Sequence, residues 1–140
     1  MTPTATATVH PSRSPAVWLT ALVGAVFVLL GLNAYLNPVG ASAGFGLPMQ
    51  GAAETTFVRV WGSRNALLGA LAVTFVALGM RRAAAILLSM ATVMPAFDAA
   101  VVVSRIGWDA LVLARHATAF AVLVALSVAL WRATPRDGGP

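Results

Sequence analysis

Four long apolar segments constrain the fold of this chain more than any other feature. They cover about residues 16–36, 57–79, 83–104 and 110–131, and each is about 20 residues long, the length at which a helix crosses the hydrocarbon core of a bilayer. Only 9% of the 140 residues are charged, far below the roughly 25% of a soluble domain. We therefore predict an all-α fold, an integral membrane four-helix bundle.

Polar sequence flanks this four-helix transmembrane domain, which we place at residues 16–131. Residues 1–15 are rich in Thr, Ala, Pro and Ser and are expected to form a disordered N-terminal tail. Residues 132–140 form a polar C-terminal tail. The Gly-, Pro- and Ala-rich stretch 37–56 is predicted to be a loop, because the residue before Pro38 disfavours helical geometry.

The first apolar segment also resembles a cleavable signal peptide. Arg13 would be its basic region, residues 17–32 its apolar region and Ala41-Ser42-Ala43 its cleavage site. The apolar run exceeds the roughly 7 to 15 residues that are usual for such a region. We therefore expect the first helix to be retained.

Arginine is distributed unevenly between the two ends of the helices, and this predicts their orientation. Because cytoplasmic flanks are enriched in basic residues, the side with more arginines should be cytoplasmic, with both termini inside (N-in/C-in). The residues on that side are Arg13, Arg81, Arg82, Arg132 and Arg136, and those on the opposite side are Arg105 and Arg115.

The net charge of +5 does not indicate a nucleic-acid-binding protein. The arginines punctuate apolar segments and form no basic patch interleaved with aromatic residues. Cysteine is absent, and the few His and Asp residues are too sparse for a zinc site, so no metal or other cofactor is expected. The Ala-rich, all-Arg composition is typical of a GC-rich bacterium, which favours a bacterial cytoplasmic membrane.

Polar residues interrupt three of the apolar segments at similar depths. Arg64, Asp98 and His116 each lie about six or seven residues from one end of their segment, or roughly 10 Å along a helix. An Arg or Asp in the middle of a membrane helix costs roughly 2.5 to 3.5 kcal/mol, so such residues pair or serve a function. We predict that Arg64, Asp98 and His116 meet in the outer half of the bundle as candidate catalytic residues.

Five further side chains are expected to reach the same level and to bind a ligand. Each shares a helix face or a helix end with one of the three central residues, or comes from the end of the first helix. They are Asn65, Trp61, Asn33, Asn37 and Asp109.

A structural role remains open for each of these polar residues. Arg64 and Asp98 could form an intramembrane ion pair that locks the second helix to the third. His116 could be hydrogen-bonded to a neighbour, and Asn33 and Asn37 could bond across helices. The arginines near the helix ends, Arg59, Arg105 and Arg115, are expected to reach the lipid headgroups.

Several motifs resemble those of a known family. They are Asn37-Pro38, Phe45-Gly46-Leu47-Pro48, Arg59-Val60-Trp61-Gly62-Ser63-Arg64-Asn65, Pro95-Ala96-Phe97-Asp98 and His116-Ala117-Thr118. Through them, about residues 16–131 resemble the small four-helix membrane proteins grouped as domain of unknown function 4267, akin to the DoxX-like group. The resemblance implies a four-helix membrane protein with these polar residues as its site, and it implies no particular reaction.

Two classes of function fit these observations best, and a transporter or proton-coupled carrier ranks below both, because four short helices without an evident inverted repeat give little room for alternating access. The first is a small polytopic membrane protein that binds a lipid, a lipophilic molecule or a protein partner through its polar cluster. The alternative is a membrane-embedded acid/base enzyme of isomerase, epoxide hydrolase or cyclase type. There Asp98 would act as a base, His116 would exchange protons and Arg64 would polarise a lipophilic substrate. Membrane lipids are expected partners, and a homo-oligomer is compatible with the sequence.

Overall fold

The computed structural model describes residues 14–134, and every regular element in this part of the chain is an α-helix. The tails expected at 1–15 and 132–140 lie almost entirely outside the described residues, as do Arg13 and Arg136. The six helices are α1 (Pro15–Leu36), α2 (Pro38–Phe45), α3 (Ala52–Ala77), α4 (Arg81–Ala91), α5 (Val93–Ile106) and α6 (Ala110–Ala133).

Four helical stretches within residues 14–134 are long and apolar enough to cross a membrane. They are Pro15–Leu36, Ala52–Ala77, Arg81–Ile106 and Ala110–Ala133. This confirms the predicted all-α architecture with four spanning helices and suggests a membrane protein. The N-in/C-in orientation and the domain boundaries stay predictions.

The third spanning helix is interrupted where α4 meets α5. Pro95 has no N–H group to donate to the carbonyl of Ala91, so the helical ladder is interrupted at this point. The regular helical pattern stops at Thr92, although its backbone dihedrals are helical (φ −61°, ψ −25°), and its hydroxyl donates to the carbonyl of Ser89 at 2.6 Å. The interruption therefore lies three residues before Pro95.

Glycine residues bring the antiparallel helices α1 and α3 into close contact. A Cβ atom added to Gly24 would lie 2.8 Å from the carbonyl oxygen of Gly69, and one added to Gly62 would lie 2.7 Å from that of Gly31. Small residues allow helix backbones to approach closely in membranes. We refer to these four glycines as the α1–α3 seam.

The core lies toward the end of the bundle that contains the first residues of α1 and the last residues of α6, here called the termini half. It is formed by Ala16, Ala72, Val76, Ala84, Ala85, Leu88, Leu123, Leu126 and Leu130. The hydroxyls of Ser89 and Ser127 lie 2.6 Å apart, and the indole N–H of Trp131 donates to Ser89 at 3.1 Å. The polar groups of this half therefore bond one another.

The opposite end, here called the α2 half, contains a short helix where the sequence analysis predicts only a loop. Asn37 caps α2, since its side-chain oxygen accepts from the N–H of Gly40 at 3.1 Å, and Pro38 occupies the first helical position. Gly46 ends α2 with a φ of 103°, a conformation that favours glycine. Asn37-Pro38 thus both ends α1 and begins α2.

Candidate functional site

The α2 half of the bundle encloses a cavity of about 350 Å³. This volume falls in the range of roughly 300–1,000 Å³ that is typical of small-molecule sites. Five of the eight residues proposed from the sequence line it, namely Asn33, Trp61, Asn65, Asp98 and His116. Apolar side chains such as Phe27, Leu30, Met94 and Ala119 form much of the remaining wall.

Asp98 lies on α5 between this cavity and a second one. The second cavity, of about 290 Å³, is more apolar and is also lined by Asp98, Phe45 and Trp61. Asp98 is half-buried and lies within electrostatic range of His116. Among residues 14–134, no group donates a hydrogen bond to its carboxylate, and no buried side-chain oxygen or nitrogen lacks a partner. The carboxylate therefore keeps its acceptor capacity for the cavities.

His116 is held from the side of α2. Its side chain is only 8% exposed, and its Nε2 lies 3.3 Å from the carbonyl oxygen of Phe45. Because a carbonyl only accepts, Nε2 carries the proton in this bond, and a neutral ring keeps Nδ1 as an acceptor.

An aromatic row fixes the wall between the two cavities. The Phe45 ring packs edge-on against His116 with centroids 4.9 Å apart, and against Trp61 at 5.3 Å. Such edge-to-face pairs are favourable by about 0.5–1.5 kcal/mol beyond their buried area. Phe45 therefore orients both of its neighbours around the cavity.

Arg115 binds the last turn of α2 beside His116. Its Nη1 donates to the carbonyl oxygen of Gly44 at 2.6 Å, and the side chain lines the cavity. A cation suits the C-terminus of a helix, where carbonyl groups carry partial negative charge. The guanidinium of Arg115 thus contacts the protein backbone. The sequence alone predicts that it reaches the lipid headgroups instead.

Arg64 lies outside this group. It is exposed on the bundle surface, whereas its neighbour Asn65 is 6% exposed and lines the cavity. Successive residues of a helix point about 100° apart, so the two side chains cannot share one wall. Within residues 14–134 no ion pair joins Arg64 to Asp98. The structure brings Asp98 and His116 together without Arg64.

Two other candidates cap helices and do not line the cavity. Asn37 caps α2, as described above, and Asp109 caps α6. The Oδ1 atom of Asp109 accepts from the N–H groups of Leu111 at 2.9 Å and Val112 at 3.0 Å. Their positions next to helix starts account for both residues, because Asn and Asp are strongly preferred there.

Sequence reasoning missed Phe45, which touches both His116 and Trp61. The signal for it was present. Asn before Pro38 is a helix-start pattern, and Gly46 eight residues after Pro38 is a helix-stop pattern. Reading these signals together predicts a short helix whose last residue, Phe45, lies beside the bundle.

The arrangement is suited to hydrogen bonding and proton transfer. It offers a carboxylate (Asp98), an imidazole (His116), an amide (Asn65) and a guanidinium (Arg115) on one apolar cavity. Among residues 14–134 no three His, Asp or Glu side chains are grouped as metal ligands.

The family model described as domain of unknown function (DUF4267) matches residues 24–130. The matched range contains every residue that lines the cavity. Neither a curated protein nor a solved structure matches the chain. Because the family model covers most of the sequence, the chain belongs to the DUF4267 family.

Proposed function

We propose that this protein is a small polytopic membrane protein that binds a lipophilic molecule in the cavity beside Asp98 and His116. The cavity itself is the observation that carries the proposal. Its wall is largely apolar, and a few polar groups converge on it, as in most small-molecule sites. We further propose the bacterial cytoplasmic membrane as its location and kinship with the DoxX-like group, which the motif resemblance supports.

The surroundings of Asp98 support binding over a purely structural role. A carboxylate in apolar surroundings is unfavourable unless it is hydrogen-bonded or paired. Within residues 14–134, Asp98 forms no ion pair and accepts no hydrogen bond. A donor group on a ligand in the cavity would complete the hydrogen bonding of Asp98.

The experiment that tests this proposal compares two alanines of α2. Ala41 lines the cavity, whereas Ala43 is exposed and lines no cavity described here. The protein is purified from membranes in mild detergent, and retained molecules are identified by native mass spectrometry. We expect Ala41→Phe to lose a molecule that wild type and Ala43→Phe retain. Equal retention by all three proteins would refute a binding role for this cavity.

A second candidate function is an acid/base enzyme acting on a lipophilic substrate, of isomerase, epoxide hydrolase or cyclase type. It is favoured by the proximity of Asp98 and His116 in one cavity. Asp98 would take a proton from the substrate, the imidazole of His116 would return one, and Asn65 and Arg115 would orient polar groups. Positioned acid/base pairs of this kind contribute about 10² to 10⁴ in rate.

The Asp98→Asn variant separates the two candidate functions, because the amide keeps the shape of the carboxyl group and removes its basicity. An enzyme predicts that the folded variant retains a molecule chemically different from the one wild type retains, namely the unconverted substrate. A binding protein predicts the same molecule in a smaller amount.

A further inference from the structure

A second recess runs along the outside of the bundle between α1 and α6. It has a volume of about 510 Å³ and is lined mainly by apolar side chains. We call it the lateral groove; Val23, Phe27 and Leu30 on α1 face Arg115, Thr118 and Val122 on α6 across it. It exists because α1 packs mainly along α3, whereas α6 packs mainly along α4 and α5.

The lateral groove borders the cavity that contains Asp98. Phe27, Leu30, Arg115 and Ala119 line both spaces. A path between the two spaces would run sideways past these shared side chains, between two helices that are each apolar enough to cross a membrane. A ligand reaching Asp98 along this path would come from the lipid phase.

We propose that the ligand is a single-chain amphiphile with an uncharged, hydrogen-bonding head. Its chain lies in the lateral groove and its head lies beside Asp98 and His116. This inference rests on the proposed function and adds the chemical class of the ligand. The groove extends over eight residues of α1, from Val23 to Leu30, and over thirteen of α6, from Leu111 to Leu123, or about 10 Å and about 18 Å along the two helices. An extended hydrocarbon chain parallel to the helices suits this shape.

The charges around the cavity select the head group. Asp98 and Arg115 place one acidic and one basic side chain on the cavity, next to the imidazole of His116. An acidic and a basic side chain can offset each other, so a charged head would add an excess charge in apolar surroundings, which is strongly unfavourable. A hydroxyl head could donate to Asp98 and accept from Arg115, which uses one of its five N–H donors on Gly44.

The test uses hexadecanol with a diazirine near the methyl end of its chain, added to the protein in lipid nanodiscs. Ultraviolet crosslinking and peptide mass spectrometry locate the labelled residues. We expect labels on the groove-facing residues of α1 and α6. Thr118→Phe, which fills the groove without lining the cavity, should lower labelling at least about fivefold by overpacking.

Three controls make the outcome decisive. Ala117→Phe changes an exposed neighbour that lines neither space, and it should label like wild type. Ala114→Phe fills the groove at a second position and should act like Thr118→Phe. Unlabelled hexadecanol should compete at least about tenfold better than hexadecanoate, because burial of the carboxylate is unfavourable.

Each contrary result overturns a different statement. If Ala41→Phe lowers labelling but Thr118→Phe and Ala114→Phe do not, the chain does not lie in the groove, and the proposed function still stands. If none of the three lowers labelling, both the inference and the proposed function fail for this probe class. Equal competition by hexadecanoate would overturn the uncharged head group.

Discussion

The termini half and the α2 half of the bundle are built from the same apolar helices and differ in the hydrogen bonding of their polar side chains. In the termini half, Ser89, Ser127 and Trp131 bond one another beside a closely packed core. In the α2 half, Asp98 has no hydrogen bond from residues 14–134 and borders two cavities. The polar groups of the termini half thus bond one another. In the α2 half, the carboxylate of Asp98 remains able to accept a hydrogen bond from a molecule outside the chain.

This difference shows how a small membrane bundle can be stable and still contain a binding site. Apolar surface gains little when it leaves lipid for the bundle interior, so close packing and hydrogen bonds must hold the helices together. The α1–α3 seam supplies the close packing in both halves. In the α2 half, Arg115 and His116 also bind the end of α2. The α2 half can therefore contain cavities without coming apart.

The largest expected effect comes from breaking the seam, which supports both halves at once. A Cβ atom at Gly62 would lie 2.7 Å from both the Gly31 carbonyl oxygen and the Ala34 Cβ. We expect Gly62→Ala to lower the free energy of unfolding by about 3 kcal/mol, because two backbones must separate. The measurement is unfolding by SDS in mixed micelles. Gly44→Ala, which meets nothing within 4 Å, is the matched control and should unfold like wild type.

A pair of leucine truncations tests whether packing is concentrated in the termini half. Leu130 is 0% exposed in the core, whereas Leu30 is 53% exposed and lines the cavity. We expect Leu130→Ala to cost about 2 kcal/mol from lost packing contacts, and Leu30→Ala less than about 1 kcal/mol. The same SDS titration measures both values. Equal losses would contradict the contrast between a closed and an open half.

A smaller effect is expected from loosening α2 alone. His116→Phe preserves an aromatic ring beside Phe45 and removes the hydrogen bond to its carbonyl oxygen, which is worth about 1 kcal/mol. We expect hydrogen exchange to become faster at the amides of 41–45 and to stay unchanged around Leu130. Thr118→Val, which removes only a bond within α6, should leave both regions as in wild type. Uniformly faster exchange would mean that the two halves are coupled.

The fold was predictable because it depends on patterns along the chain. Segment length and apolar composition identified the four spanning helices. The short helix α2 was overlooked, since its eight residues are rich in Gly and Ala and lack any apolar period. Its capping residues are the remaining signal, because Asn37-Pro38 can begin a helix as well as end one.

The levels at which the candidate residues lie along their helices were easier to predict than the directions in which their side chains point. Counting residues along each helix placed Asp98 and His116 at one level, and both line the cavity. Which side of α3 faces inward depends on the α1–α3 seam. With Gly62 and Gly69 against α1, Asn65 lies on the inward face and Arg64 on the outer surface. That rotation follows from contacts between helices, which no single segment encodes.

The smallest expected effect concerns Arg64, and it sharpens the contrast between a charge inside the α2 half and one on its surface. Because Arg64 is exposed and makes no ion pair within residues 14–134, Arg64→Gln should change stability by less than about 0.5 kcal/mol. Asp98→Asn should lower retention of the bound molecule, and the double variant should match Asp98→Asn, since unconnected sites add within about 0.5 kcal/mol. Retention and SDS unfolding are measured for all four proteins. A coupling above about 1 kcal/mol between the two substitutions would show that Arg64 does interact with Asp98. The cavity would then contain two guanidinium groups and would favour a ligand with an anionic head.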